Sequence, residues 1–262
     1  MKRYFEIIKS YFKYSLMMEM EYKFNFFFGG IFELVWLVMY IIFIDVIFLG
    51  SSNIGGWSKY QVLLLTFQGG LTDALVTFSV VPGLSQIPEF VNTGKLDFVL
   101  LKPLNTRFHL SLRNFSLSQI KNIIINIFGI IYCIIKLKLP VTPKLVIGYI
   151  ILTISGIVII YSIMFVLMTF SFWIIKMDIV MGVCAELITV GNKPYTIYPK
   201  IFQKIITYGL PILVAFNYPI LFLCGNKFRN LIIVSAIISI IWFILANIIL
   251  KRGLRKYVST GC

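Results

Sequence analysis

Apolar residues run through this chain in long blocks, broken by short clusters of Lys, Gly, Asn and Pro. Blocks of that length predict an all-α membrane protein. The first block reaches from about 24 to 49, with Glu33 and Asp45 as its interruptions. A turn from Gly50 to Gly56 leads to a second at about 60–81. The third covers about 118–137, and a turn bearing Lys and Pro follows it up to Lys144. The fourth, about 145–175, is long enough to tilt or to project beyond the bilayer. A fifth at about 177–191 is short for a crossing, and a last one occupies about 228–250. Six transmembrane helices in a single domain over 1–262 are therefore expected.

Residues 1–22 read as an amphipathic helix, with Phe5, Ile8, Phe12 and Leu16 at helical spacing and Lys2, Arg3, Lys9 and Lys13 supplying its basic component. Such a helix lies in the headgroup region and feeds the first span, or simply prolongs that span. Pro194, Pro199, Pro211 and Pro219 punctuate the apolar stretch 192–224, which is either a seventh crossing or a re-entrant hairpin broken at Pro211. Charge favours the hairpin. With six crossings and the N-terminus inside, 15 of the 24 basic residues are cytosolic, including Lys176 and the tail quartet Lys251, Arg252, Arg255 and Lys256. A seventh crossing moves that quartet outside and leaves 11, against the positive-inside rule. Five basic residues between Lys193 and Arg229 stay outside in the six-span arrangement.

Composition closes off whole classes. The 262 residues are 59% hydrophobic and 13% charged, with a mean hydropathy of +0.93, too few charges to keep a soluble surface wet. Twelve spans cannot fit. The net charge of +14 arises from basic residues flanking apolar blocks, which fits orientation in a membrane and contact with anionic lipid, so no nucleic-acid partner is expected. Cys133, Cys184, Cys224 and Cys262 have no paired spacing, and His109 is the single histidine, so neither a disulfide framework nor a metal site is expected. Charged residues recur through Lys23, which is not a signal-peptide pattern.

The longest polar connection, 82–117, carries the most specific pattern. After Pro82-Gly83, Leu84, Ile87, Phe90 and Val91 fall on one face of a short helix, and Ser85, Gln86, Glu89 and Asn92 on the other. Gly94 is suited to a left-handed stop. An apolar stripe of this kind needs a cover: a separate partner, the chain's own bundle or the lipid surface. Then comes Gly94-Lys95-Leu96-Asp97-Phe98-Val99-Leu100-Leu101-Lys102-Pro103-Leu104. This segment resembles the membrane permeases of ABC-type exporters in the type-2 class, in the subgroup with a G-x-L-D-x-x-L-x-x-P-L box after the second span. Gly94, Leu96, Asp97, Leu100, Pro103 and Leu104 match it. The tail Gly253-Leu254-Arg255-Lys256-Tyr257-Val258-Ser259 is similar to that subgroup's closing G-L-R-x-Y-x-S, with Val258 where an acidic residue is expected. The layout agrees too: an amphipathic N-terminal helix, six spans and a Pro-rich hairpin before the last.

The resemblance implies a bacterial-type cell-membrane permease with both termini cytosolic, paired with a second permease copy or a paralogue. It implies two ABC ATPase subunits that bind ATP and Mg, while this chain holds no cofactor and catalyses nothing. It also makes the loop a coupling helix, docking the ATPase through Leu84, Ile87, Phe90, Val91, Gly94, Lys95, Leu96, Asp97 and Pro103. The chain has no G-x-x-x-x-G-K-[ST] phosphate loop, so any ATP is bound by another polypeptide. Two other functions remain open, an integral-membrane enzyme acting on lipid and an ATP-independent immunity or scaffold protein. The first needs convergent polar groups that the ten acids and lone histidine do not supply in sequence.

The acids inside spans are candidates for the translocation path. Counted at the helical rise, Glu33 lies about 15 Å above Lys23 and Glu186 about 15 Å above Lys176, near the midplane, with Asp73 in the inner half of the second span. An intramembrane acid faces a partner or water, as a path residue or as a packing contact between helices. Asp45 is expected at the outer interface, solvated. Peptide, lipid, drug and ion all remain open as cargo.

Overall fold

The computed structural model describes residues 2–21, 23–174, 178–225 and 230–258. Lys176, Arg229, Ser259 and Cys262 lie outside them, as do the expected span limits at 175, 177 and 228. The described chain is helical, with one isolated bridge between Ile54 and Trp57. Helix α1 (Lys2–Glu21) precedes α2 (Lys23–Leu49) and α3 (Lys59–Ser79). Four short helices follow: α4 (Val81–Leu84), α5 (Ile87–Asn92), α6 (Leu96–Leu100) and α7 (Thr106–Leu112). The bundle continues with α8 (Gln119–Lys136), α9 (Pro143–Thr169, extended by a 3-10 turn Phe170–Phe172) and α10 (Asp178–Gly191). After α11 (Lys200–Lys204) and its π-helical turn Ile205–Gly209 come α12 (Ile212–Leu223) and α13 (Asn230–Lys256).

The apolar blocks become helices because nothing within them competes for the backbone, and polar residues mark where they start. The Ser58 amide donates to the Gln61 side chain at 2.9 Å, and Thr142, followed by Pro143, caps the Leu145 amide. Among the described residues five helices are long and apolar enough to cross a membrane: Gly30–Leu49, Lys59–Ser79, Gln119–Lys136, Pro143–Phe172 and Asn230–Lys256. The expected span at 177–191 is α10, whose 14 residues rise only about 21 Å, short of a ~30 Å core. Lys200–Gly209 and Ile212–Leu223 together make a sixth apolar length, but with a 100° bend.

Helix α9 is the centre, packed on α12 and α13, while α3 packs on α8. Leu64 and Leu65 of α3, Phe165 and Met168 of α9 and Phe216 of α12 are among the fully buried side chains of the core. A polar thread crosses this core. The Tyr149 hydroxyl donates to Gln68 Oε1, and Gln68 Nε2 donates to Thr72 and Thr153 at 3.2 and 3.3 Å. The bonds to Tyr149 and Thr153 join α3 to α9, and interhelical bonds of this kind contribute about 0.6 kcal/mol each in a bundle. By contrast α2 leaves Phe32, Trp36 and Phe43 bare.

The two ends of the bundle are distinct. At one, which we call the loop end, Tyr11 and Ser15 of α1 bond to His109 and the Phe115 amide, and Gly253 and Tyr257 of the tail pack on Phe172. At the other, Trp57 meets Tyr195 edge to face with ring centres 6.3 Å apart, so the 50–58 and 192–199 segments lie together. Phe222 packs on Gly148 and Ala215 on Gly156, so α12 runs antiparallel to α9 and starts deep in the bundle. It is capped by Cys224, which lines a cavity with Gly56, Trp57 and Gln61 at the end opposite the loop.

Candidate functional site: the loop end and the intramembrane acids

The loop helices are short because prolines and a glycine divide them. Pro82 and Pro88 stand in the first turns of α4 and α5, and Gly94 takes φ +74°, the left-handed turn anticipated for it. The expected single helix over 84–92 is thus split at Ser85–Gln86. Its apolar face is also not bare. Leu84, Ile87 and Phe90 are 1%, 0% and 7% exposed, buried in the chain's own core, and Val91 packs against it half-buried. The reason is tertiary: α5 lies across α9 and its 3-10 turn, which take up the stripe. The Arg113 guanidinium covers the Phe90 ring from 4.6 Å.

What the loop does expose lies one step further on. Leu96 and Val99 point inward, whereas Phe98 is 70% and Leu101 80% exposed, with Leu100 partly bare beside them. Phe98 and Leu101 occupy the unspecified positions of the box. Their i, i+3 spacing is the signal in the sequence that points to a shared face. Lys95 pairs with Glu89 at 2.6 Å, both exposed. Pro103 is exposed, with the Arg3 guanidinium 3.5 Å from its carbonyl oxygen.

Box and tail meet in space. The Tyr257 phenol faces the Asp97 carboxylate, and burial followed by that charge raises its pKa. Tyr257 also meets Phe172 edge to face at 6.1 Å. Gly253 is where α13 crosses the Phe172 ring so closely that a Cβ would strike it at 2.5 Å. Among the side chains that α1 lays on the loop is Tyr11. Its hydroxyl is 2.6 Å from His109 Nδ1, while Lys102 Nζ is 3.3 Å from Nε2. A charged lysine only donates, so Nε2 accepts, Nδ1 carries the proton, and it donates to Tyr11. Burial first, then Lys102 and Arg113, lower the His109 pKa to about 4, so the ring is neutral at pH 7.

The three intramembrane acids sit on different elements. Glu33 Oε2 is 3.7 Å from Lys121 Nζ, and the Lys121 stem packs on Gly30. Lys121 belongs to the first turn of α8, so Glu33 lies towards the loop end of the bundle. Asp73 is bonded by Thr77 one turn along α3. Glu186 is exposed on α10, on one face with Gly182, Ala185 and Thr189. Asp45 is not simply solvated: it pairs with Lys59 at 2.8 Å and ties α2 to α3.

The family model described as ABC-2 family transporter protein matches residues 34–261, from α2 through the tail. The chain belongs to that family. No curated protein and no solved structure matches it. ABC-2 family members are membrane components of transporters, not enzymes, and they partner ABC ATPase subunits. This ABC-2 chain is accordingly a multi-pass membrane protein, the permease subunit of an ABC transporter.

Proposed function

We propose that the chain is the permease of an ATP-driven exporter in the subgroup marked by the Gly94–Leu104 box, and that it docks two ATPase subunits, which bind ATP and Mg, through the loop end. The observation that carries this reading is the pair of bare side chains Phe98 and Leu101 on a segment whose other face is locked into the bundle. A rigidly mounted apolar tip transmits force, because the buried Leu84, Ile87, Phe90 and Leu96 fasten it to α9 and its neighbours. In this reading Glu89, Lys95 and Asp97 form the polar rim and those four leucine, isoleucine and phenylalanine side chains are its mounting.

The loop end is cytosolic in this proposal, with both termini, and α11–α12 is a re-entrant hairpin. Supporting that, 192–199 and Cys224 both lie at the end opposite the loop, and α12 starts deep within the bundle. Helix α1 lies at the membrane surface. The bare flanks of α2 and of α10 call for a second permease copy or a paralogue, since Glu186 facing acyl chains would cost roughly 2.5 kcal/mol or more. Glu186 and Asp73 then line a path between the two permeases, and Glu33 with Lys121 stands at its cytosolic mouth. ATP binds the closed ATPase dimer best, which supplies the differential affinity that drives alternating access. The test is extraction of the tagged chain in mild detergent and mass spectrometry of what copurifies. An ABC ATPase in equal number with the permease is expected. A preparation free of any ATPase, with the permease folded, overturns the reading.

A further inference from the structure

Arg107, in the first turn of α7, is more than nine-tenths buried among side chains of α9 and α13. Its guanidinium carbon lies 3.8 Å from the centre of the Phe243 ring, 4.9 Å from that of Phe165 and 5.0 Å from that of Tyr161. Nε donates to the Tyr161 hydroxyl at 2.8 Å and Nη1 to the Phe243 carbonyl oxygen at 2.9 Å, whereas Nη2 is buried without an acceptor. Among the described residues the carboxylates in ion pairs face Lys59, Lys95 and Lys121, and none faces Arg107. A guanidinium stays charged at any physiological pH. Aromatic faces offset part of the cost of burying it, but a buried charge still calls for a counter-charge.

Arg107 also lines a cavity of about 460 Å³ between α7, α9 and α13. Val80, Ile157, Val158 and Phe243 make most of its wall apolar. Its polar lining is Asn105, Arg107, Asn247 and Ser111, whose hydroxyl is 2.8 Å from that of Tyr161. Asn247 is exposed on α13, an amide on the flank of a membrane-spanning helix. One turn beyond it, about 6 Å along the axis, stands Lys251, the first of the basic residues that end α13.

We propose that this cavity binds an anionic lipid, with its phosphate between Arg107 and Asn247 and an acyl chain along Ile157, Val158 and Phe243. The headgroup supplies the missing counter-charge and an acceptor for the Asn247 amide, at the depth where the basic end of α13 meets the interface. A soluble phosphate leaves the apolar wall wet, whereas a lipid covers it.

The test needs neither ATPase nor cargo, so its failure leaves the transport reading untouched. The full chain is purified in mild detergent and compared with Asn247→Leu, Val158→Trp and Arg107→Gln. Native mass spectrometry reads bound lipid after exposure to phosphatidylglycerol or phosphatidylcholine, and thermal unfolding is followed with each lipid and with inorganic phosphate. Wild type retains phosphatidylglycerol preferentially and unfolds at a higher temperature with it. Asn247→Leu, and Val158→Trp, which fills the cavity without touching the Arg107 bonds, retain about tenfold less, the factor one charge-assisted contact carries. These two variants keep the proposal testable if Arg107→Gln fails to fold. Equal retention of the two lipids by wild type, wild-type retention by both cavity variants, or the full stabilisation from inorganic phosphate alone each overturns it.

Discussion

At His109 three side chains form a relay from Lys102 through the imidazole to Tyr11, and it fastens α1 to the loop. Its folded pKa of about 4 lies below the ordinary 6.5. Between those values the unfolded chain binds more protons than the folded one, so stability falls as pH drops from about 6.5 towards 4 and is flat above. Thermal unfolding in detergent should therefore show a lower midpoint at pH 4.5 than at pH 7, and His109→Gln should flatten that difference. An unchanged slope in the variant would remove the imidazole from the account. None of this was legible from sequence. A lone histidine argues against a metal cluster, but its partner Tyr11 is 98 residues away and reached only through folding. Glu33 teaches the same limit. The helical rise gives its distance from Lys23 along α2, but not its pairing with Lys121 in the first turn of α8.

At the scale of elements, the helices were legible because apolar blocks free of proline have one low-energy solution in lipid. The break near Pro211 was legible for the converse reason. Which face an element buries was not. The stripe Leu84, Ile87, Phe90 and Val91 has the same period whether its cover is α9 or another protein, and nothing local separates the two. Within Leu96–Leu101 the inward and outward residues are equally apolar, so the exposure of Phe98 and Leu101 follows from where α6 sits. Helix α12 is tied to the preceding segment through Asn217. Asn217 donates to the carbonyl oxygens of Gly191 and Lys193 at 3.0 and 3.2 Å and accepts from the Tyr195 amide at 3.0 Å. It is fully buried, so Asn217→Leu leaves three backbone groups unpaired and should destabilise the fold by about 1–3 kcal/mol. A clear drop in the thermal midpoint, with loss of the α10–α12 contact under crosslinking, is the expected outcome. A midpoint equal to wild type would mean water or lipid takes over those bonds.

For the whole molecule, the order of blocks and the basic flanks set the expected topology, and the described parts of α1 and of the tail gather with the loop end. Cysteines placed at Ser52 and at Val258 should differ: an impermeant thiol reagent added to intact cells labels the first and not the second. Labelling at Val258 would put the loop end outside and undo the proposed docking. That docking is the central claim, and binding of the ATPase to the intact permease tests it most directly. In a detergent pull-down, Phe98→Ala with Leu101→Ala should lower ATPase affinity more than tenfold, since an interface anchor contributes about 2 kcal/mol or more and 1.4 kcal/mol is one decade. The control Lys200→Ala, exposed in the segment leading to α12, should bind as wild type does. Full ATPase retention by the double variant, with the permease still folded, would contradict the account.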